Sequence, residues 1–241
     1  MSAVLEARSI SLHGQEISYW LRRSARCGGV NLRVDERGLV VSAPERISEQ
    51  RLHGVLHDAA QWVLAKLAHW QEWQARRPAP LQLRDGAVLE FLGMPLPLAL
   101  RAGRYSAARD MFSLLVSVPK PEDEACVRMQ VNAWYHDEAL RHFPGRIAHY
   151  AEQLTVRARK LTVSEAKTRW GSCNAHGEIR LSWRLMQAPP HLIDYVVAHE
   201  LAHLRELNHS PRFWELVASV YPQYRDARKE LDSLTQRYMA L

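Results

Sequence analysis

The sequence predicts an α+β fold: a helical metal-binding core with a β-hairpin, preceded by a β-rich N-terminal region that carries one long helix. Three observations predict it. Residues 4–43 and 88–118 run as short apolar-polar alternations broken by turn signals. Residues 48–76 and 122–154 repeat their apolar positions at helical spacing. A hairpin pattern within 161–182 then leads into an apolar helix that holds His199, Glu200 and His203, with His209 just beyond it. The predicted division is residues 1–120 for the N-terminal region and 121–241 for the metal-binding region.

Taken in order, Ile17, Tyr19 and Leu21 alternate with polar neighbours, as do Leu32 and Val34. Gly38 to Ala43 follows a turn at Asp35-Glu36-Arg37. Ser48 is a suitable N-cap for a helix reaching to about Arg76, whose apolar face uses Leu52, Val55, Leu56, Ala59, Trp62, Val63, Leu67 and Trp70. His53 and His57 stand four apart on that helix, with no adjacent glutamate and no nearby third ligand, and read as ordinary helix residues. Arg77-Pro78-Ala79-Pro80 ends it. Strands return near Val88–Leu92, Leu96–Leu100 and Phe112–Val118. A second long helix runs from about Glu122 to Leu154, with Pro144-Gly145 predicted to kink or break it. The hairpin is read as Leu161–Val163, Thr168–Cys173 and Glu178–Ser182, with a turn over Asn174-Ala175-His176-Gly177. Pro189-Pro190 opens a helix to about Arg205, and two further helices cover roughly 211–220 and 224–238.

The chemistry concentrates in His199, Glu200, His203 and His209. Residues i and i+4 share one helix face, so His199 and His203 can aim two imidazoles at one ion. Glu200 is rotated one step around, where a base must sit to take a proton from a water on that ion. This is the H-E-x-x-H spacing of zinc metallohydrolases. Polar side chains on a helix as apolar as Ala198, Leu201, Ala202 and Leu204 make it need a partner, and an ion supplies one. Glu206-Leu207-Asn208 follows, with Asn the non-glycine residue that best tolerates the left-handed conformation ending a helix. Ser210-Pro211 then starts a new helix, so His209 lies at a junction from which it can turn inward. The offsets 0, +4 and +10 match the metzincin pattern, but Glu206 stands where that group has glycine, which predicts a different turn.

Composition sets outer bounds. The chain has 241 residues, net charge +6 and three cysteines (Cys27, Cys126 and Cys173), too few and too scattered for a disulfide framework. No apolar run reaches membrane-spanning length and the first twenty residues hold no signal-peptide h-region, so a cytoplasmic protein with no membrane partner is expected. The basic balance reads first as solvated surface, with an anionic substrate such as a nucleotide, or a nucleic acid, as the alternatives.

Four stretches carry a family resemblance: Arg169-Trp170-Gly171-Ser172-Cys173, Ile179-Arg180-Leu181-Ser182, His199-Glu200-Leu201-Ala202-His203 and Asn208-His209-Ser210-Pro211-Arg212-Phe213-Trp214. With weaker support from Arg22-Arg23-Ser24, Leu32-Arg33-Val34 and Trp62 to Leu67, the chain resembles the YgjP-like metallopeptidases, in the zincin group related to the SprT and WLM proteases. The resemblance implies a zincin-like core, a Zn2+ ion held by His199, His203 and His209, and Glu200 as general base. One departure is Arg205, where many zincins keep an apolar residue.

The reading is a zinc metallopeptidase acting on a peptide or protein. The alternatives are a metal-dependent nucleoside triphosphate pyrophosphohydrolase, against which no glycine-rich phosphate loop appears, and a nucleic-acid-associated repair-type protease. Arg169, Tyr195, His176 and Tyr224 are candidates to stabilise transition-state charge, with Arg169 and Tyr195 placed first. Glu215, Glu206 and Asp194 are candidates to orient the ligand imidazoles. The strand at Arg169–Cys173 or Glu178–Ser182 is expected to flank the site with an open edge.

Overall fold

The computed structural model describes residues 5–25, 27–35, 37–75 and 81–241. Residues 76–80, where the sequence ends its first long helix, and Glu36 of the predicted turn lie outside them. Six helices and three sheets stand among the described residues, so the α+β class holds. The chain divides into two compact units, Met1–Arg77 and Pro78–Leu241.

In the first unit β1 (Leu5–Leu12) and β2 (Gln15–Ser24) form an antiparallel hairpin. Its two turn residues, His13 and Gly14, both take positive φ, which matches the twist of the flanking strands. β3 (Asn31–Asp35) and β4 (Gly38–Pro44) complete a sheet of order β1-β2-β4-β3, with β2 and β4 parallel. Alternation sends Tyr19, Leu21, Leu39 and Val41 to the face covered by Leu52, Leu56, Ala60 and Val63. Those four belong to α1 (Glu49–Asp58) and α2 (Ala60–Ala75), where the sequence predicts one helix. Ala59 leaves the helical well, with ψ at 5°. Its N–H still reaches the Val55 carbonyl at 3.1 Å and its carbonyl still accepts from Val63 N–H at 2.9 Å, so the apolar stripe runs on.

The second unit begins earlier than the predicted boundary at 120/121. β5 (Val88–Phe91), β6 (Met94–Ala102), β7 (Ser106–Arg109) and β8 (Leu114–Val118) form a sheet of order β5-β6-β8-β7 that packs on α3 (Glu124–Gln153). The physical reason is at Glu90 and the turn after it. The Tyr135 hydroxyl donates to the Glu90 carbonyl and Arg237 pairs with the Glu90 carboxylate. Leu92 and Gly93 donate their backbone N–H groups to Met186 and Gln187 at 2.8 and 3.0 Å. At Gly93, φ is 77° and a Cβ would lie 2.7 Å from Pro189 Cγ, so glycine is required where this turn meets the start of the next helix.

α3 runs unbroken through Pro144, where the sequence predicts a kink or a break. The carbonyl that the proline leaves unbonded belongs to Leu140, an exposed residue, so water can satisfy it. β9 (Lys160–Ser164), β10 (Gly171–Cys173) and β11 (Glu178–Ser182) form a sheet of order β10-β11-β9. β11 is central, with β9 parallel on one side and β10 antiparallel on the other, so only β10 and β9 present edges. A short 3-10 helix (Trp183–Gln187) leads into α4 (Pro190–Ala202), followed by α5 (Pro211–Val220) and α6 (Tyr224–Tyr238). α4 is buried on nearly every side, between α3, α5, α6 and the β10–β11 pair. Arg146 of α3 grips Asp194 of α4 in a two-pronged ion pair at 2.5 and 2.7 Å. No helix among the described residues is long and apolar enough to cross a membrane.

Candidate metal centre

α4 stops at Ala202, three residues before the predicted end, with His203 as its C-cap. The chain then tightens: Leu204, Arg205 and Glu206 donate back to Leu201, Ala202 and Ala202 at 3.0, 3.0 and 3.1 Å. The turn does not use a left-handed Asn208; among the described residues the non-glycine positive φ values fall at His13, Leu92 and Thr155. Arg205 is exposed, consistent with the early end of the helix. Ser210 accepts a hydrogen bond from Phe213 N–H at 3.3 Å and Pro211 opens α5, as the sequence predicts.

This corner brings three imidazoles together. His199, His203 and His209 each offer a nitrogen, and these atoms lie within 4.8 Å of one another. His199 Nε2 and His209 Nε2 are 3.1 Å apart. Two imidazoles bound to one zinc at about 2.0–2.1 Å in a tetrahedron require a nitrogen separation of roughly 3.3 Å. The rings rest on Phe213, whose centroid is 4.9 Å from that of His199, 4.5 Å from His203 and 4.8 Å from His209. Trp214 stacks on His209 at 5.7 Å. Phe213 is fully buried with Ala202 and Val217, so the floor of the site is fixed by packing.

The residues fit a divalent ion. His199 Nδ1 is buried with no hydrogen-bond partner among the described residues, and its Nε2 faces only another imidazole. With its proton on Nδ1, the ring aims the Nε2 lone pair at a second imidazole nitrogen, an arrangement that a shared cation would stabilise. Burial, reinforced by His203 and His209, lowers the His199 pKa to about 3, so the ring is neutral, the form that ligates. His203 Nδ1 lies 3.1 Å from the Glu206 carbonyl. An N–H there donates to that carbonyl and leaves Nε2 with the free lone pair. Glu206 thus orients the His203 ring through its backbone. Of the other two candidates for that role, Asp194 is occupied by Arg146 and Glu215 is exposed.

Glu200 is 6% exposed and lies beside β10. A Cβ on Gly171 would stand 2.5 Å from Glu200 Oε1 and 2.7 Å from its Cγ, so the glycine is what lets the carboxylate in. Burial raises the Glu200 pKa to about 8, while the Arg169 charge pulls it down. A cation at the histidines would also pull it down. Glu200 and His199 line a cavity of about 160 Å³ together with Trp170, Gly171, Tyr195, Val196, Arg228, Leu231 and Asp232. Tyr195 is therefore in the site; burial raises its hydroxyl to about 12. Arg169 is exposed and reaches Glu200 only through its charge. His176 is a turn residue, and Tyr224 stacks on Trp214 at 5.2 Å, outside this cavity. Burial pushes the Cys173 thiol to about 11, so it is not an activated nucleophile. Sequence reasoning missed Gly171, Phe213, Arg228 and Asp232. The first two sit in motifs already singled out; the last two stand four apart on the polar face of α6.

Residues 29–234 match the family described as YgjP-like, metallopeptidase domain. The chain belongs to the YgjP-like metallopeptidase family. The UTP pyrophosphatase of Escherichia coli (strain K12) is 34% identical over 64 residues, which are 27% of this chain and 38% of that protein. The match therefore spans well under half of that relative's own length. The crystal structure of the metallopeptidase zymogen of Pyrococcus abyssi abylysin aligns with 38% of this chain and 93% of its own, at a TM-score of 0.35 and 21% identity. Membership of the family implies a hydrolase that uses a divalent metal, and the histidine cluster is where the described residues can hold one.

Proposed function

We propose that this YgjP-like protein is a zinc-dependent metallopeptidase in which His199, His203 and His209 hold the ion and Glu200 is the general base. The observation that carries the reading is the convergence of three imidazole nitrogens within 4.8 Å, at a cavity that also admits a buried carboxylate. Three imidazoles are a ligand set that suits zinc and would leave room for a reacting group. When bound, the ion would supply Lewis acidity, making water easier to deprotonate and a carbonyl easier to attack. Glu200 takes the water proton and returns it to the leaving amine. Tyr195 stays protonated at neutral pH and lines the same cavity, which supports it as a donor to developing negative charge. Arg169 favours the ionised form of Glu200. The edge strand β10 borders Glu200 and suits an extended peptide laid alongside it. Cys27, Cys126 and Cys173 are all unpaired, which suits a reducing cytoplasm.

A second reading is hydrolysis of a nucleoside triphosphate. The UTP pyrophosphatase relative and the net charge of +6 favour it. One experiment separates the two. Purified protein is assayed for bound metal, then incubated with casein, a peptide library and UTP, beside Glu200→Gln. Peptide products that vanish in Glu200→Gln are expected. Product from UTP alone, also lost in Glu200→Gln, would remove the peptidase reading.

A further inference from the structure

Beside the 160 Å³ cavity lies a second one, of about 440 Å³, lined by Trp214, Tyr224, Arg225, Arg228, Lys229 and Asp232. Arg228 and Asp232 line both, so the two spaces meet at these side chains. Arg225, Arg228 and Lys229 are spaced i, i+3, i+4 on α6 and share one helix face. None of the three has a carboxylate within ion-pair distance among the described residues. Most cations on a helix surface need no explanation. These three line a concave wall that continues into the metal centre.

Arg228 is also positioned. Its guanidinium carbon lies 5.3 Å from the Trp214 ring centroid, and Trp214 is held by Tyr224 and His209. Stacking of this kind restrains a guanidinium while its in-plane N–H donors stay free for an oxyanion. Arg225 is steadied by its own bond from Nε to the Tyr224 hydroxyl at 3.1 Å. With Asp232 in the same wall, the formal charge of the four groups is +2. That suits one carboxylate better than a chain of phosphates.

We propose that Arg228, flanked by Arg225 and Lys229, forms a specificity subsite for an acidic residue of the substrate peptide beside the bond that is cut. This rests on the peptidase reading above. The subsite holds the substrate and takes no part in the bond change.

The test begins with zinc-loaded wild-type protein and a mixed-sequence peptide library read by mass spectrometry. Cleavage sites enriched in Asp or Glu at one position next to the scissile bond are expected. Labelled peptides carrying Glu, Gln or Lys at that position are then titrated into zinc-loaded Glu200→Gln, which reads binding without turnover. The Glu peptide is expected to bind about ten-fold more tightly than the Gln peptide at low salt, with the difference shrinking as salt rises. Arg228→Glu, added to that background, is expected to reverse the order in favour of Lys, and Arg228→Lys to restore part of the preference. Circular dichroism identifies any variant that has failed to fold, and Lys229→Glu, a more peripheral change, is then used in place of Arg228→Glu. Cleavage with no charge preference, or a preference that survives charge reversal, overturns the subsite and leaves the peptidase reading standing. No cleavage of any peptide, alongside turnover of UTP, removes the peptidase reading and the subsite with it.

Discussion

Two helices of this molecule carry histidines four residues apart: His53 and His57 on α1, in the first compact unit, and His199 and His203 on α4, in the second. The spacing is the same and the surroundings differ. His53 and His57 are exposed, and His53 Nε2 has a carboxylate of its own helix, Glu49, 3.9 Å away. Water solvates such rings, and an imidazole in the last turn suits the helix dipole. His199 is half-buried, has a buried nitrogen with no partner among the described residues, and sits beside a buried glutamate and a third imidazole delivered by the loop before α5. Two histidines at i and i+4 set a direction. A site also needs a dry environment in which the lone pairs have no better partner.

The largest effect that would break this contrast comes from removing a proposed ligand. His203→Ala and His209→Ala should each take bound zinc from one per chain to near zero. Hydrolytic activity should fall roughly a thousand-fold, the loss expected when several kcal/mol of metal-supplied stabilisation disappears. His53→Ala and His57→Ala should leave both unchanged. Elemental analysis with an activity assay reads the outcome. Zinc retained at full stoichiometry in His209→Ala would remove residue 209 from the ligand set and reduce α4 to a helix with two ordinary histidines.

A smaller effect sharpens the same contrast through glycine. At Gly171 an added Cβ would press within 2.5 Å of Glu200 Oε1, whereas at Gly54, beside His53 on α1, it would meet nothing within 4 Å. Gly171→Ala should therefore destabilise the second unit by about 1–3 kcal/mol through overpacking. It should also lower turnover, because the atom displaced belongs to the proposed base. Gly54→Ala should stabilise its helix by about 0.5–1 kcal/mol, with turnover unchanged. Chemical denaturation and steady-state kinetics report the two quantities separately. A Gly171→Ala enzyme with wild-type turnover would show that Glu200 has room to retreat.

These pairs also show how far the sequence could be read. The helix that carries His199, the Ser210-Pro211 start of α5 and the approach of His209 to His199 were legible because each depends largely on local spacing and capping residues. Gly171 and Glu200 are twenty-nine positions apart, and nothing local says that one makes room for the other. Phe213 was quoted in a motif, but its place beneath three imidazoles depends on how α5 folds back onto α4. The unit boundary was misplaced for a similar reason. Residues 88–118 look like the strands that precede them, and long-range contacts such as those of Glu90 with Tyr135 and Arg237 and of Leu92 and Gly93 with Met186 and Gln187 assign them to the second unit. Pro144 shows the limit of a local rule: the sequence predicts a kink or a break there, and α3 continues past it without a break, with the carbonyl that loses its donor belonging to the exposed Leu140.

The smallest expected effect compares two helix caps of matching chemistry. Ser48 accepts a hydrogen bond from Arg51 N–H at 3.3 Å at the start of α1, and Ser210 accepts one from Phe213 N–H at 3.3 Å at the start of α5. Replacing either by Ala should destabilise its own unit by about 1 kcal/mol. The consequences should then separate. Ser210 is next to His209 and its cap fixes the first turn that carries Phe213, so Ser210→Ala should weaken zinc binding several-fold as the third imidazole loosens. Ser48→Ala touches no ligand and should leave zinc affinity as it was. Competition with a chelator of known affinity measures the difference. Equal zinc affinity in both variants would mean that Phe213 packing alone holds His209, because the cap at Ser210 would then add stability to α5 without steering the ring beside it.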